Sequence, residues 1–142
     1  MAYLLDTNVI SELRRGRRCD PNVRQWVSTI PADELFISVL TLGEIRAGVE
    51  NKRRKDPTQA EAIERWLNSI TEQFAGRTLP VTTQEADRWG RIPLEGRLPD
   101  IDGVIAATAL VHGLTVATRN KDDFWRSGVP LVDPFEARAV HD

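Results

Sequence analysis

Acidic and amide side chains that could support metal-assisted chemistry occur in four separated parts of the chain. Asp6 directly follows the apolar pair Leu4-Leu5, and Thr7 and Asn8 come next. A short apolar run that ends in polar groups is typical of a buried parallel strand. In open α/β sheets the ligand crevice lies beyond the carboxyl ends of the strands, so Asp6 is predicted at a functional edge. Its carboxylate needs a partner there, because burying an unpaired charge is costly.

Four further polar residues are predicted to reach the same edge. Glu44 lies in the first turn of a helix that follows a second apolar strand. Asp102 lies in the first turn of a largely apolar helix. Asn120 and Asp123 follow a strand that ends at Thr118.

Three of these acidic residues also have purely structural explanations. Thr41 and Glu44 have the spacing of a capping box, in which the glutamate bonds back to the start of its helix. Asp102 would favour the helix dipole by about 0.3–1 kcal/mol, although Asp100 is already predicted to cap that helix. Asp123 has an alternative as an N-cap or a solvated loop acid.

Convergence of the carboxylates weakens these explanations. Like charges about 4 Å apart repel by ~1 kcal/mol in water and by ~4 kcal/mol at an effective dielectric constant of 20. The sequence places no lysine or arginine inside the predicted cluster, so the cluster needs a cation. Oxygen ligands with open positions for water suit Mg²⁺ or Mn²⁺. A divalent ion held by carboxylates can generate hydroxide and stabilise charge on phosphate oxygens.

Short apolar strands alternate with helical patterns along the whole chain. Strands are predicted at 4–5, 35–38, 79–81, 114–118 and 130–132. Helices are predicted at 8–16, 21–30, 41–53, 57–75, 83–90 and 100–112, with a helical turn after Asp133-Pro134. This alternation predicts an α/β fold with a parallel sheet covered by helices on both faces.

Composition narrows the possible classes of protein. A length of 142 residues suits one domain, and the single cysteine, Cys19, excludes an internal disulfide framework and fits a reducing cytoplasm. His112 and His141 are the only histidines, so the chain has few candidates for the histidine of a Ser-His-Asp site and too few for a histidine-rich zinc site. No apolar stretch approaches the ~20 residues of a membrane span, and no signal peptide is expected.

The charge is acidic overall but locally basic. The formal net charge is −2 and the pI is about 5.7, which is not typical of a nucleic-acid-binding protein. Two basic clusters stand out against this background, at residues 14–18 and 52–55. Each is either a solvated helix end or a surface that attracts phosphate.

Five stretches, in this order and spacing, carry a family resemblance: residues 5–12, 38–48, 102–109, 118–120 and 123–124. They span nearly the whole chain. The chain resembles the PIN-domain ribonucleases, and most closely the VapC/FitB-like toxins of bacterial type II toxin–antitoxin modules. The resemblance implies a PIN-like three-layer α/β/α sandwich with a central parallel sheet, formed by a single PIN domain over residues 1–142.

The resemblance also implies a Mg²⁺- or Mn²⁺-dependent endoribonuclease. Asp6, Glu44 and Asp102 fall on the family's three acidic metal-site positions, where they would hold the ion that activates water for attack on an RNA phosphate. The fourth position, acidic in some relatives, falls on Asn120. Asp123 or Asp122 is the alternative for completing the site, which leaves open whether one or two ions bind.

Supporting residues follow from the same resemblance. Thr7 and Thr118 fall where the family orients its acids or metal-bound water, and Asn8 is expected to cap the first helix and reach the site. The candidates for steering the RNA backbone are Arg119, Arg14 and Arg15.

Partners are implied as well. Such toxins are usually cytoplasmic homodimers, held inactive in a larger assembly by a cognate antitoxin whose C-terminal segment lies along a groove near the active site. Trp26, Trp66, Phe74 and Trp89 are expected mostly in the core, with one or two of them lining that groove or the dimer contact.

Two other classes of protein are alternatives: phosphotransfer proteins and non-catalytic PIN-fold modules. Haloacid-dehalogenase-like phosphatases also begin with an aspartate at a strand end, but they need a second aspartate two residues later, where this chain has Asn8. Receiver domains need adjacent acids, a separate phospho-acceptor and a distal lysine, and that complete set cannot be placed in this sequence. A non-catalytic PIN-fold module that binds nucleic acid or protein is the main alternative, against which the complete set of Asp6, Glu44 and Asp102 argues.

Overall fold

A central sheet of parallel strands organises the chain. The computed structural model describes residues 1–98 and 100–137, and of Asp100 it describes the backbone alone. The strands are Tyr3–Leu5 (β1), Leu35–Ser38 (β2), Thr78–Leu79 (β3), Thr115–Ala117 (β4) and Leu131–Val132 (β5). Their order across the sheet is β3-β2-β1-β4-β5, and every pairing is parallel. The prediction of a parallel sheet is confirmed, and β1, which leads into Asp6, lies in its middle.

Helices connect the strands. They are Thr7–Leu13 (α1), Pro21–Ser28 (α2), Val39–Arg53 (α3), Pro57–Gln73 (α4), Thr83–Arg91 (α5), Asp100–His112 (α6) and Lys121–Phe124 (α7). Short 3₁₀ turns lie at Gly16–Arg18, Ala32–Glu34 and Trp125–Ser127. Within the described part of the chain, no helix is both long enough and apolar enough to cross a membrane.

Two apolar cores lie on opposite faces of the sheet. Successive side chains of a strand point to opposite faces, and Leu4 and Leu5 accordingly belong to different cores. Leu5 packs in a cluster that includes residues of α1, α2, α3 and α4, whereas Leu4 packs in a cluster that includes residues of α6 and α7. The predicted three-layer α/β/α sandwich is therefore confirmed.

Polar residues begin several helices as the sequence predicted. Asp20 and Asp56 each precede a proline, and the side chain of each accepts a hydrogen bond from the backbone of the helix it caps. Thr82 and Glu85 form a complete capping box at the start of α5. The pKa of the buried Glu85 carboxyl is lowered from its ordinary value, chiefly by the hydrogen bond that the Thr82 backbone donates to it.

The capping box predicted at Thr41 and Glu44 is wrong. The helix begins at Val39, because the side chain of Ser38 at the end of β2 accepts from the backbone of Leu40 at 3.0 Å. Thr41 is therefore inside α3 and fully buried, and Glu44 lies beyond the first turn. Glu44 has no capping role, which removes the structural explanation for its carboxylate.

Three other predicted helix starts differ from the structure, and α1, α2 and α4 end two or three residues earlier than predicted, at Leu13, Ser28 and Gln73. Asp6, and not Asn8, is the N-cap of α1, because its carboxylate is the group that accepts from the first backbone amide of the helix. The segment after Asp133 forms a turn without a helix, in which the Asp133 carboxylate accepts from the backbone of Phe135. Asp100 is the first residue of α6, and its predicted capping bond lies outside the described residues.

Candidate active site

Asp6 is a buried carboxylate at the centre of the sheet's carboxyl edge. Only 4% of its surface is exposed. Its Oδ1 accepts from the backbone N–H of Thr7 at 2.8 Å, and its Oδ2 accepts from Thr118 Oγ1 at 2.9 Å and from Asn8 Nδ2 at 3.3 Å. Burial raises the pKa of Asp6, while these three hydrogen bonds act in the opposite direction. The result is a desolvated carboxyl group in a fixed orientation.

Hydrogen bonds between α1 and the residues after β4 hold this arrangement together. Asn8 Nδ2 also donates to Thr118 Oγ1, at 3.2 Å, and Asn8 Oδ1 accepts from the backbone of Arg119 at 3.1 Å. Thr118 Oγ1 in addition accepts from the backbone of Asn120, at 3.0 Å. The structure thus places Asn8 and Thr118 beside Asp6 and joins two distant segments of the chain through their side chains.

Glu44 is joined to Asp6 through Thr7. The Thr7 hydroxyl donates to Glu44 Oε1 at 2.6 Å, while the Thr7 backbone donates to Asp6. β1 and β2 are neighbours in the sheet, so the elements that begin after them present their polar groups side by side. Thr7 is therefore the residue that sets the relation between these two carboxylates.

Asp102 reaches the same edge by the topology of the chain. α6 leads into β4, which runs parallel to β1, so the start of α6 lies at the carboxyl edge of the sheet. Asp102 is in the first turn of α6, half-buried and engaged in a contact within the fold. It is the third carboxylate that the fold directs to this edge.

A close backbone contact holds the start of α6. A Cβ atom built on Gly103 would lie 2.0 Å from the carbonyl oxygen of Leu98 and 2.5 Å from Trp89 Nε1. The indole N–H of Trp89 donates to that same carbonyl at 2.9 Å. Trp89, Leu98 and Gly103 together clamp the loop after α5 against the turn that carries Asp102.

Asn120 and Asp123 lie on the surface after β4. Both are exposed, and the Asp123 N–H donates to the carbonyl of Asn120 at 3.0 Å. The Asn120 side chain makes no capping hydrogen bond to α7, and Asp122 is also exposed. These residues are peripheral in comparison with the buried Asp6.

Asp6 and Glu44, the two carboxylates linked through Thr7, have no basic partner in the described part of the chain: no lysine, arginine or histidine among residues 1–98 and 100–137 forms an ion pair with either of them. The same part of the chain contains no group of three or more His, Cys, Asp or Glu side chains already placed to hold a metal ion. Asp6 and Glu44 supply a linked pair of carboxylates with no basic ion-pair partner among the described residues. Oxygen donors of this kind fit a hard divalent cation.

A cavity of about 320 Å³ opens beside Glu44 and Thr7. Its wall is apolar at Ile63 and Trp66 and basic at Arg14 and Lys52, with the Arg14 guanidinium carbon 5.9 Å from the centroid of the Trp66 ring system. The cavity is thus lined by Glu44 of the acidic site as well as by apolar and basic side chains.

The four aromatic residues divide equally between the core and cavity walls, and their contact with an antitoxin or a second copy of the chain stays a prediction. Trp26 and Phe74 are buried in the core. Trp66 lines the cavity beside Glu44, and Trp89 lines a second, apolar cleft that also includes Leu40.

The other predicted RNA-binding arginines differ in their surroundings. Arg15 is 3.3 Å from a carboxylate oxygen of Glu12, which in turn accepts from the Asp20 backbone, so it belongs to a local structural network. Arg119 is exposed and stacks on Phe135. Cys19 is buried, and burial raises the pKa of its thiol.

Several contacts at or around the site were not predicted from the sequence, although Lys52 lies in a predicted basic cluster and Trp89 is a candidate for the groove. Lys52 lines the cavity, Trp89 and Gly103 form the clamp beside Asp102, and Phe135 lies under Arg119. Each depends on a contact between segments far apart in the chain. No spacing within the sequence marks such pairs.

Comparison with known proteins identifies the family to which the chain belongs. Residues 3–127 match the PIN domain family. The chain is 36% identical to Toxin FitB of Neisseria gonorrhoeae, over 93% of this chain and 97% of that protein. It is 33% identical to VapC ribonuclease Y4jK of Sinorhizobium fredii, over 94% and 97% of the respective chains. The chain belongs to the PIN-domain family and, within it, to the VapC/FitB-like toxins.

Solved structures show the same fold. The crystal structure of FitAcB from Neisseria gonorrhoeae superposes with a TM-score of 0.84 at 33% identity, covering 95% of this chain and 99% of that one. A toxin–antitoxin complex from Klebsiella pneumoniae superposes with a TM-score of 0.68 at 28% identity, covering 96% and 100%. The resemblance inferred from the motifs is confirmed.

Replacing Thr118 by valine tests the hydrogen-bond network around Asp6. Valine keeps the shape of the side chain but removes the hydroxyl that donates to Asp6 and accepts from Asn8 and the Asn120 backbone. We expect a loss of about 1–3 kcal/mol in the free energy of unfolding, because buried polar partners are left unpaired. Denaturant unfolding measures this loss, and a free energy equal to that of the unmodified chain would contradict the network's importance.

Proposed function

We propose that this protein is a divalent-metal-dependent endoribonuclease, the toxin of a type II toxin–antitoxin module, and that residues 1–142 act as one domain. The observation that carries the proposal is the buried Asp6 carboxylate, linked through Thr7 to Glu44 and without a basic partner among the described residues. PIN-domain ribonucleases generally depend on divalent metals, and relatives of this chain bear the name ribonuclease. The non-catalytic alternative draws no support from any specific feature of the site.

The metal is Mg²⁺ or Mn²⁺ in this proposal, held by Asp6, Glu44 and Asp102. When bound, such an ion lowers the pKa of water and stabilises charge on phosphate oxygens. Thr118 and Asn8 orient Asp6 by donating to its Oδ2, and Thr7 orients Glu44. Donors fixed before the substrate arrives spare the reaction the cost of ordering them. Asn120 and Asp123 lie at the rim, where they would contact the substrate or complete the site.

The substrate is RNA, and its approach is assisted by local basic groups. Arg119 follows Thr118 directly, and Arg14 and Lys52 line the cavity beside Glu44. Local arginines attract a polyanion even when the net charge of the protein is −2. Arg15 forms an ion pair with Glu12 and would therefore contribute less to attracting RNA.

The partners are a cognate antitoxin and a second copy of the chain, in the cytoplasm. We propose that the antitoxin inserts a segment into the cavity lined by Trp66, Ile63 and Arg14. Because that cavity opens at Glu44, a segment seated there would exclude RNA from the acidic site. In this arrangement the antitoxin inhibits RNA cleavage by occupying the cavity, without changing the fold of the toxin.

Metal removal tests the proposed activity. We expect the purified chain to cleave single-stranded phage genomic RNA with Mg²⁺ or Mn²⁺, to lose cleavage with EDTA, and to regain it when the ion is restored in excess. Activity that resists EDTA would contradict metal dependence. Failure to cleave any RNA, including total bacterial RNA, would favour the non-catalytic alternative.

A further inference from the structure

Arg119 is held at the rim of the acidic site by contacts to both its backbone and its side chain. Its backbone N–H donates to Asn8 Oδ1 at 3.1 Å, one residue beyond Thr118, which bonds Asp6. Its guanidinium carbon lies 3.7 Å from the centroid of the Phe135 ring. That distance is well inside the ~6 Å range of cation–π attraction.

The segment that carries Phe135 is itself anchored. The Phe135 carbonyl accepts from Asn22 Nδ2 of α2 at 2.9 Å, and its N–H donates to Asp133 Oδ1 at 2.8 Å. Glu136 pairs with Lys121 at 2.9 Å. The ring is half-buried and packs against the core that contains Leu5. Phe135 is therefore a fixed surface, on which the exposed side chain of Arg119 stacks.

Stacking leaves the guanidinium able to bind an anion. The five N–H donors of arginine lie in the guanidinium plane, whereas the aromatic ring occupies only one face of that plane. In the part of the chain described here, no carboxylate forms an ion pair with Arg119. The exposed guanidinium thus keeps in-plane donors available on a residue whose backbone is bonded to Asn8 of the site, and the oxygens of a phosphate diester would accept from them.

We propose that Phe135 is a positioning residue that holds Arg119 ready to contact an RNA phosphate next to the cleaved bond. This inference rests on the proposed ribonuclease function. Its physical basis is preorganisation, because an arginine already restricted by stacking loses less side-chain freedom when it binds. Phe135 does not touch the RNA in this arrangement and acts only through Arg119.

Binding experiments separate this role from simple packing. The full chain is used in the Asp6→Asn background, with Mg²⁺ and a fluorescein-labelled single-stranded RNA of mixed sequence as the probe. We expect Phe135→Leu, which keeps an apolar side chain, to weaken binding about fivefold, in keeping with a cation–π contribution. Phe135→Tyr, which keeps the ring, should bind within about twofold of its parent. Equal binding by the leucine and tyrosine variants would overturn the proposal.

A double-mutant cycle provides the matched control. Arg119→Ala should weaken RNA binding and reduce the dependence of log K on log salt concentration by about one ion. Adding Phe135→Leu to Arg119→Ala should then cause little further loss, because the two residues act as a unit. A full additional loss in the double variant would show that Phe135 acts through general stability, contrary to the proposal.

Cleavage kinetics on phage genomic RNA give a second readout. In the unmodified background, Phe135→Leu should raise KM by a factor similar to the loss in binding and leave kcat nearly unchanged, since uniform binding is lost. A fall in kcat with KM unchanged would overturn the positioning role. Failure of the unmodified chain to cleave any RNA would instead refute the proposed function itself, so the two failures are distinguishable.

Discussion

Asp6→Asn is expected to abolish RNA cleavage and to leave the fold intact. The substitution removes the negative charge of the most buried carboxylate at the sheet edge, which is 4% exposed. Metal-ion stabilisation of a transition state contributes several kcal/mol, and each ~1.4 kcal/mol changes the rate about tenfold. We therefore expect the rate to fall by about a thousandfold or more.

The fold should tolerate this change for two reasons. Asparagine is as good a helix N-cap as aspartate, and Asp6 caps α1. Burial also raises the pKa of Asp6, so the charged form is disfavoured there and a neutral side chain relieves that cost. Against this gain stands the loss of an acceptor for two hydrogen bonds, because an amide nitrogen in place of Oδ2 cannot accept from Asn8 Nδ2 or Thr118 Oγ1. We expect the free energy of unfolding in metal-free buffer to fall by no more than about 2 kcal/mol.

Asp20→Asn is the matched control for this experiment. Asp20 is also the N-cap of a helix, α2, and accepts from its backbone, but it does not belong to the acidic site. The control should cleave RNA at the rate of the unmodified chain, measured as the initial rate on phage genomic RNA with Mg²⁺. Cleavage by Asp6→Asn at the same rate as the control would refute the proposed mechanism.

Gly103→Ala is expected to damage both stability and activity. The added methyl group would lie 2.0 Å from the Leu98 carbonyl oxygen and 2.5 Å from Trp89 Nε1, distances at which backbone or indole must move. Overpacking of this kind costs about 1–3 kcal/mol, although alanine has the higher helix propensity. The movement would displace the first turn of α6, which carries Asp102, so we expect cleavage to fall by about tenfold or more. A displacement of about 1 Å can reduce activity by two orders of magnitude.

Gly90→Ala provides the comparison within the same region. Gly90 lies inside α5, close in sequence to Trp89, and a Cβ atom there would meet nothing within 4 Å. Its replacement should leave cleavage unchanged and raise the free energy of unfolding by about 0.5–1 kcal/mol. Thermal unfolding and initial cleavage rates, measured for both variants, show whether the loss is specific to Gly103→Ala. If Gly103→Ala behaved like Gly90→Ala, the clamp would have no part in holding the site.

Local sequence patterns predicted the elements well where short-range contacts decide them. Asp20-Pro21 and Asp56-Pro57 begin α2 and α4 as expected, because a cap and its helix lie within a few residues of each other. Local patterns failed to predict the start of a helix where two nearby residues both suit the N-cap position. Ser38 and Thr41 both suit the start of α3, and the end of β2 in the sheet decided for Ser38. Asp6 and Asn8 competed in the same way at α1.

The amino-acid sequence by itself determined the alternating α/β order, the parallel sheet and the placement of Asp6 at the carboxyl end of its central strand. These follow from hydrophobic periodicity and caps, which act over a few residues. Only the tertiary structure decided that Thr7 joins Asp6 to Glu44, that Gly103 lies against the loop that precedes α6, and that Arg119 stacks on Phe135. Each of these contacts depends on side-chain direction and distance between segments that only the packed sheet and helices bring together.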